Sequence, residues 1–110
     1  MAYANDDLYT KLVHVAVGTG RRTEFAKEAG GYGGMIVGPP ADPTWLRISH
    51  RIYPNNGEHE YRVATSRVGE HWVWGGVWTF PAGTSTRFGL VSKGGSGATA
   101  EFDYFRLFRP

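Results

Sequence analysis

The chain has 110 residues, of which 41% are hydrophobic and 15% aromatic, and it contains no cysteine. This length allows one modest core, and the composition excludes a disordered chain. Without cysteine there are no disulfides, no thiol nucleophile and no thiolate zinc ligands. Twelve basic and ten acidic side chains give a net charge of +2, with nine arginines spread along the chain. Charge alone therefore does not predict nucleic-acid binding.

Two further classes are disfavoured by the sequence. No apolar run is long enough to cross a membrane. The segment "MAYANDDLYT" has neither the basic nor the apolar portion of a signal peptide. A chain without cysteine fits either a secreted or a cytoplasmic bacterial protein.

Short apolar runs separated by glycine and proline predict strands joined by tight turns. The first strand is predicted at 8–17, and Gly18-Thr19-Gly20 is typical of a hairpin loop. Residues 21–29 could form a helix by propensity, but their alternation favours a strand paired with the first. The short apolar run 35–37 comes next.

The segment 44–53 alternates as a half-buried strand does, and the turn at 54–57 returns the chain as a hairpin partner at 58–67. In that partner, Tyr61 and Val63 share the apolar face and Arg62 points away from it. The first of the two strands has two predicted faces: Leu46, Ile48, His50 and Ile52 on one, and Trp45, Arg47, Ser49 and Arg51 on the other.

Further strands are predicted at 72–78, at 86–93 and after the glycine-rich loop that precedes residue 98. Turn signals thus recur about every ten residues, no helix is convincing, and no linker or repeat divides residues 1–110. The sequence predicts a single all-β domain, an antiparallel β-sandwich or a barrel.

Three stretches resemble a known module. They are "NDDLYTKLVHV" (5–15), "WLRISHR" with the hairpin that runs on to "SRVGEHW" (45–72), and "FGLVSKGGSGATAEFDYFRLFR" (88–109). Together they resemble the concanavalin A-like jelly roll at the C-terminus of family 43 glycoside hydrolases such as β-xylosidases, also found as an accessory domain in other bacterial sugar-processing proteins. The segment 102–106 (FDYFR) is the most specific part.

The resemblance implies a non-catalytic module, since the reacting carboxylates of those hydrolases lie in a separate propeller domain. It also implies a polysaccharide ligand or a neighbouring hydrolase domain as partner. The family module is longer at its N-terminal side, so we expect open sheet edges and self-association into a homo-oligomer.

Tryptophans are the best candidates for sugar binding, because the apolar face of a pyranose stacks on aromatic rings. Trp72 and Trp74 alternate to one face, and Trp78 lies close by. On an outer sheet surface they would form a platform with Arg62 or Trp45 at its margin; on the inner surface they would be core residues.

Carboxylates and histidines give weaker signals. Glu58 and Glu60 lie two apart at a hairpin end, where solvated side chains are usual, and Glu101 and Asp103 share a face of the last strand. Asp103 suits a hydrogen-bonded pair with Arg106 or a backbone amide better than a calcium site, which needs six or more oxygens.

The four histidines are His14, His50, His59 and His71. No histidine pair has zinc-site spacing, and His50 fits a hydrogen-bonded core position.

The leading hypothesis is thus a non-catalytic carbohydrate-associated module with no required cofactor. A purely structural or assembly module, a small glycosidase resting on those carboxylates, and a nucleic-acid-binding protein are the alternatives, in decreasing order of support. Fold similarity alone does not decide between them.

Overall fold

A computed structural model describes residues 1–17, 20–38, 45–91 and 105–108. Within these ranges the chain is all-β and forms two antiparallel sheets. None of the described segments is a helix of the length and apolarity needed to cross a bilayer. The strands are β1 (Ala2–Asn5), β2 (Leu8–Val17), β3 (Gly20–Ala29), β4 (Tyr32–Ile36), β5 (Trp45–Ile52), β6 (His59–Ser66), β7 (Val73–Phe80) and β8 (Arg87–Phe88).

The larger sheet has the strand order β4-β3-β2-β1-β8. Its longest ladder joins β2 and β3 in unbroken register from Leu8↔Ala29 to Val17↔Gly20. The strand predicted at 21–29 and its hairpin pairing are therefore confirmed. Cross-strand pairing and the full burial of Phe25 explain why this segment, with its moderate helix propensity, is extended.

The smaller sheet has the order β5-β6-β7. The predicted hairpin is confirmed, since β5 and β6 pair from Trp45↔Ser66 to Ile52↔His59. Its turn contains Gly57 at a φ of 75°, which glycine adopts without strain. The side-chain oxygen of Asn56 accepts a 2.9 Å hydrogen bond from the amide of Glu58 and so closes the turn.

The two sheets pack face to face with the core between them. The indole Nε1 of Trp78 in β7 donates a 3.3 Å hydrogen bond to the carbonyl of Phe25 in β3. The ring of Tyr61 packs on Phe80 within its own sheet and on Phe88 of the other. This arrangement is sandwich-like, with a buried core of Ala2, Leu12, Phe25, Val37, Tyr61, Val63 and Phe80.

The structure differs from the sequence predictions in three places. The strand β1 was not predicted; four residues with mixed polarity carry little periodic signal, yet they pair with both β2 and β8. The run predicted at 35–37 begins earlier, because the glycine-rich segment of β4 pairs with β3. β8 covers only part of 86–93, and residues 105–108 are not in a strand, while the rest of the predicted last strand lies outside the described residues.

Candidate functional site

The outer surface of the smaller sheet can be assigned from the register of β6. Tyr61 and Val63 point into the core, so Arg62 and Ala64 point outward. Ala64 is the cross-strand partner of Arg47 in β5 and of Trp74 in β7. Ala64 is nevertheless fully buried, as expected when two long neighbours extend over it on the outer surface.

A β-bulge between Arg62 and Ala64 decides which tryptophans share this surface. In a regular strand Trp74 and Trp78 would point the same way, because their spacing is even. The bulge adds one residue to β7 and reverses the alternation. Trp74 therefore pairs with outward Ala64, whereas Trp78 pairs with inward Tyr61.

Gly75 and Gly76 occupy the bulge, and side chains from β4 and the residue after it press against them. A Cβ atom on Gly75 would lie 2.6 Å from Cγ2 of Val37, and one on Gly76 would overlap the thioether of Met35. These contacts between the sheets explain why two consecutive glycines stand here.

Three tryptophans and one arginine form the outer surface beyond the bulge, and we call this set of Trp45, Arg47, Trp72 and Trp74 the tryptophan face. The guanidinium carbon of Arg47 lies 4.0 Å from the ring centroid of Trp72, a cation–π contact that places Trp72 on the same side as Arg47. Trp74 is 52% exposed. The indole of Trp45 packs on Gly69, where an added Cβ would lie 2.9 Å from it.

An ion cluster lies on the same surface beside the tryptophan face. Glu60 is only 3% exposed. Arg51 binds both its carboxylate oxygens, with Nε to Oε1 at 3.0 Å and a terminal nitrogen to Oε2 at 3.2 Å. Nε of Arg62 lies 2.9 Å from Oε1, and the hydroxyl of Tyr53 also donates to the carboxylate.

The cluster holds Glu60 in its ionised form. The hydrogen bond from Tyr53 is the largest influence, burial opposes it, and Arg51 and Arg62 add to it, so the pKa of Glu60 falls to about 2. The expectation that this hairpin end is solvated was wrong for Glu60, because cross-strand partners cover it. Glu58 is half-buried in the turn that precedes β6.

Acidification should destabilise the protein between about pH 4.5 and pH 2. The folded-state pKa of Glu60 lies below its ordinary value of 4.5, so the unfolded chain takes up the proton first as the pH falls. Urea unfolding at about pH 6, 4 and 3 would measure the loss. Glu60→Gln should flatten this part of the pH dependence, while the turn variant Glu58→Gln should keep it; an unchanged profile in Glu60→Gln would contradict the assignment.

Trp78 lies on the other side of the sheet. Trp78 is half-buried, and its ring centroid lies 5.9 Å from that of Phe25. The Nζ atom of Lys27 lies 4.6 Å from the centroid of the Trp78 ring. Of the five residues predicted for sugar binding, the structure thus brings Trp45, Arg62, Trp72 and Trp74 to one surface and places Trp78 against the core.

Two histidines come together although nine residues separate them. Nε2 of His50 lies 2.8 Å from Nδ1 of His59, and the rings are nearly coplanar at 6°, so the two imidazoles share an edge-to-edge hydrogen bond. Burial and then the neighbouring His59 lower the pKa of His50. The predicted hydrogen bonding of His50 is confirmed, but the predicted core position is wrong, because β5 lies at the edge of its sheet among the described strands and His50 is exposed. Among the described residues no three ligands of the His, Cys, Asp or Glu type are grouped to hold a metal ion.

The two carboxylates predicted on the last strand, Glu101 and Asp103, lie outside the described residues.

The sequence analysis missed Arg47, Arg51 and Tyr53 as site residues. The alternation of β5 already set both arginines on the same face as Trp45, but the contact of Arg51 with Glu60 depends on register. Comparison with protein-family models, with curated proteins and with solved structures finds no match to this chain.

Proposed function

We propose that the protein is a non-catalytic carbohydrate-associated module that binds a polysaccharide through the tryptophan face. The observation that carries this proposal is the outward position of Trp74 beside Trp72, with Arg62 and Trp45 on the same surface. An exposed indole offers a flat apolar surface for the C–H face of a pyranose, and nearby polar side chains can bind its hydroxyls.

The shape of the surface supports a polymer as ligand. The face lies on a sheet and not in an enclosed cavity, so an extended chain can cross it without threading. A site of this kind contacts few sugar units, and weak binding is expected. The resemblance of three sequence stretches to a jelly-roll accessory module supports the same function and suggests a glycoside hydrolase domain as neighbour.

The surroundings of Glu60, one of the carboxylates on which a glycosidase would rest, support a non-catalytic role. A general acid needs a pKa near the working pH and access to the leaving oxygen. Glu60 is instead buried beneath two guanidinium groups and has a pKa of about 2. Its chemistry suits the positioning of Arg51 and Arg62.

Depletion from solution by insoluble polysaccharides tests the proposal. Native protein should be removed by at least one of xylan, arabinan, β-glucan or cellulose, and Trp74→Ala should remain in solution while keeping its fold. Trp78→Phe, which changes the opposite side of the sheet, is the matched control and should bind as the native protein does. Failure of the native protein to bind any glycan would favour the structural or assembly module.

We further propose that the sandwich is completed by self-association through β5. Among the described strands, β5 lies at the edge of the smaller sheet. Its inward-facing Leu46 and Ile52 are 39% and 55% exposed, so these apolar side chains are available to a second copy.

Solution mass at tens of micromolar should therefore exceed that of a monomer. Leu46→Lys with Ile52→Lys should shift the protein to monomer, because edge charges oppose strand pairing. Val68→Lys, at an exposed apolar residue in the turn after β6, should leave the mass unchanged. A monodisperse native monomer would contradict this part of the proposal.

A further inference from the structure

We infer that the tryptophan face and the neighbouring Arg62 together select an acidic polysaccharide, with a carboxylate or sulfate group bound by Arg62 while a sugar ring stacks on Trp74. The inference rests on the proposed function and narrows the class of glycan. It starts from the charges of the outward residues of the smaller sheet.

These outward positions carry three arginines and one carboxylate. Arg47, Arg51 and Arg62 all face outward, and among the described strands β5, β6 and β7 only Glu60 opposes them. Glu60 is 3% exposed, while the side chains of Arg51 and Arg62 are 62% and 50% exposed. A ligand therefore meets the guanidinium groups and not the carboxylate beneath them.

Arg62 retains hydrogen-bonding capacity after it binds Glu60. Its Nε is used by the carboxylate, and its two terminal nitrogens have no hydrogen-bond partner among the described residues. Those nitrogens form a planar pair of donors that matches the oxygens of a carboxylate or sulfate. Arg51, by contrast, spends Nε and a terminal nitrogen on Glu60.

The position of Arg62 relative to Trp74 suits an acidic sugar. The two are not direct partners: Trp74 pairs with Ala64, two residues further along β6. That offset is roughly 7 Å along the strand. One acidic sugar, or two adjacent ones, can therefore contact both residues.

A single-stranded nucleic acid fits this surface less well. Such ligands need several open aromatic rings in succession along a basic track. Here the guanidinium of Arg47 already covers one face of Trp72, and Trp45 packs on Gly69, so Trp74 is the open ring. The overall charge of +2 adds little long-range attraction for a polyanion.

The test compares matched acidic and neutral polymers by calorimetric titration of the full chain. Polygalacturonate is paired with its methyl ester and dextran sulfate with dextran, and an oligouridylate is included. We expect at least one acidic polymer to bind about tenfold or more tighter than its neutral partner, with the preference shrinking as salt is added. The two pairs identify which oxyanion is preferred.

Arg62→Gln should remove most of this preference, and Arg62→Lys should retain part of it, since a lysine keeps the charge but loses the paired donors. Arg87→Gln, on the other sheet, is the control and should behave as native. Equal binding of acidic and neutral glycans would overturn the inference and leave the proposed function standing. Binding to no polymer of this set, or to the oligouridylate alone, would likewise overturn the inference, and the depletion assay with xylan, arabinan, β-glucan and cellulose would then decide the proposed function separately.

Discussion

Trp78→Ala is expected to lower the free energy of unfolding by about 3 kcal/mol, the lower end for truncating a large aromatic residue that packs on a core. It removes the contact with Phe25 and leaves the carbonyl of that residue without its indole donor. Trp74→Ala, four residues earlier, is expected to change the free energy by less than about 0.5 kcal/mol, because its ring lies on the outer surface.

Urea unfolding of the two variants measures the contrast. The two tryptophans occupy the same strand, so differences in strand propensity cancel between them. Glycan binding should show the opposite order, with loss in Trp74→Ala and retention in Trp78→Phe. Equal destabilisation by the two alanine substitutions would mean that the bulge does not separate the tryptophans as described.

Gly75→Ala is expected to cost about 1–3 kcal/mol of stability, as overpacking of a filled site does. The new methyl group would meet both Cγ atoms of Val37, at 2.6 and 2.7 Å. Val37 is buried and stiff at χ1, and its amide donates a 3.0 Å hydrogen bond to the carbonyl of Thr23, so it cannot withdraw.

Gly76→Ala is the matched comparison. The methyl group there would meet the thioether of Met35, which has three rotatable bonds and can move aside. We expect a loss below about 1 kcal/mol, measured by the same unfolding titration. A larger loss at Gly76 than at Gly75 would contradict the packing that we describe between β4 and β7.

Local patterns in the sequence were sufficient to predict the positions of most strands. Alternation and turn residues located β2, β3, β5, β6 and β7 to within two residues of their ends. The short strand β1 was not predicted, because its extended conformation depends on pairing with β2 and β8 and not on a pattern in its own four residues. The jelly-roll topology stays a proposal that the two-sheet architecture is consistent with.

The candidate site could be predicted from the sequence only in part. Trp72 and Trp74 were predicted to share a face, and the structure has both on the outer surface. Trp78 could not be separated from them by counting, because a bulge changes the alternation without any unambiguous mark in the sequence. Glycines 75 and 76 permitted a bulge but did not require one.

Predicting the ion cluster would have required the register of the β5–β6 hairpin as well as the alternation of its strands. Glu60 and Arg51 are nine residues apart and meet because they are direct partners across the β5–β6 hairpin. Tyr53 joins them from the end of the strand. A shift of one residue in the hairpin would have sent every one of these side chains to the other face.

The central claim is that the tryptophan face binds glycan, and a tryptophan-fluorescence titration tests it most directly. Xylan, arabinan, β-glucan and cellulose oligosaccharides, together with polygalacturonate, would be added to the native protein and to Trp74→Ala, with calcium and then with chelator. Our account predicts a saturable change with at least one glycan that is lost in Trp74→Ala, in which Trp45 and Trp72 remain on the face as fluorophores. A response that persists unchanged in Trp74→Ala, or a flat response of the native protein to every glycan, would contradict it.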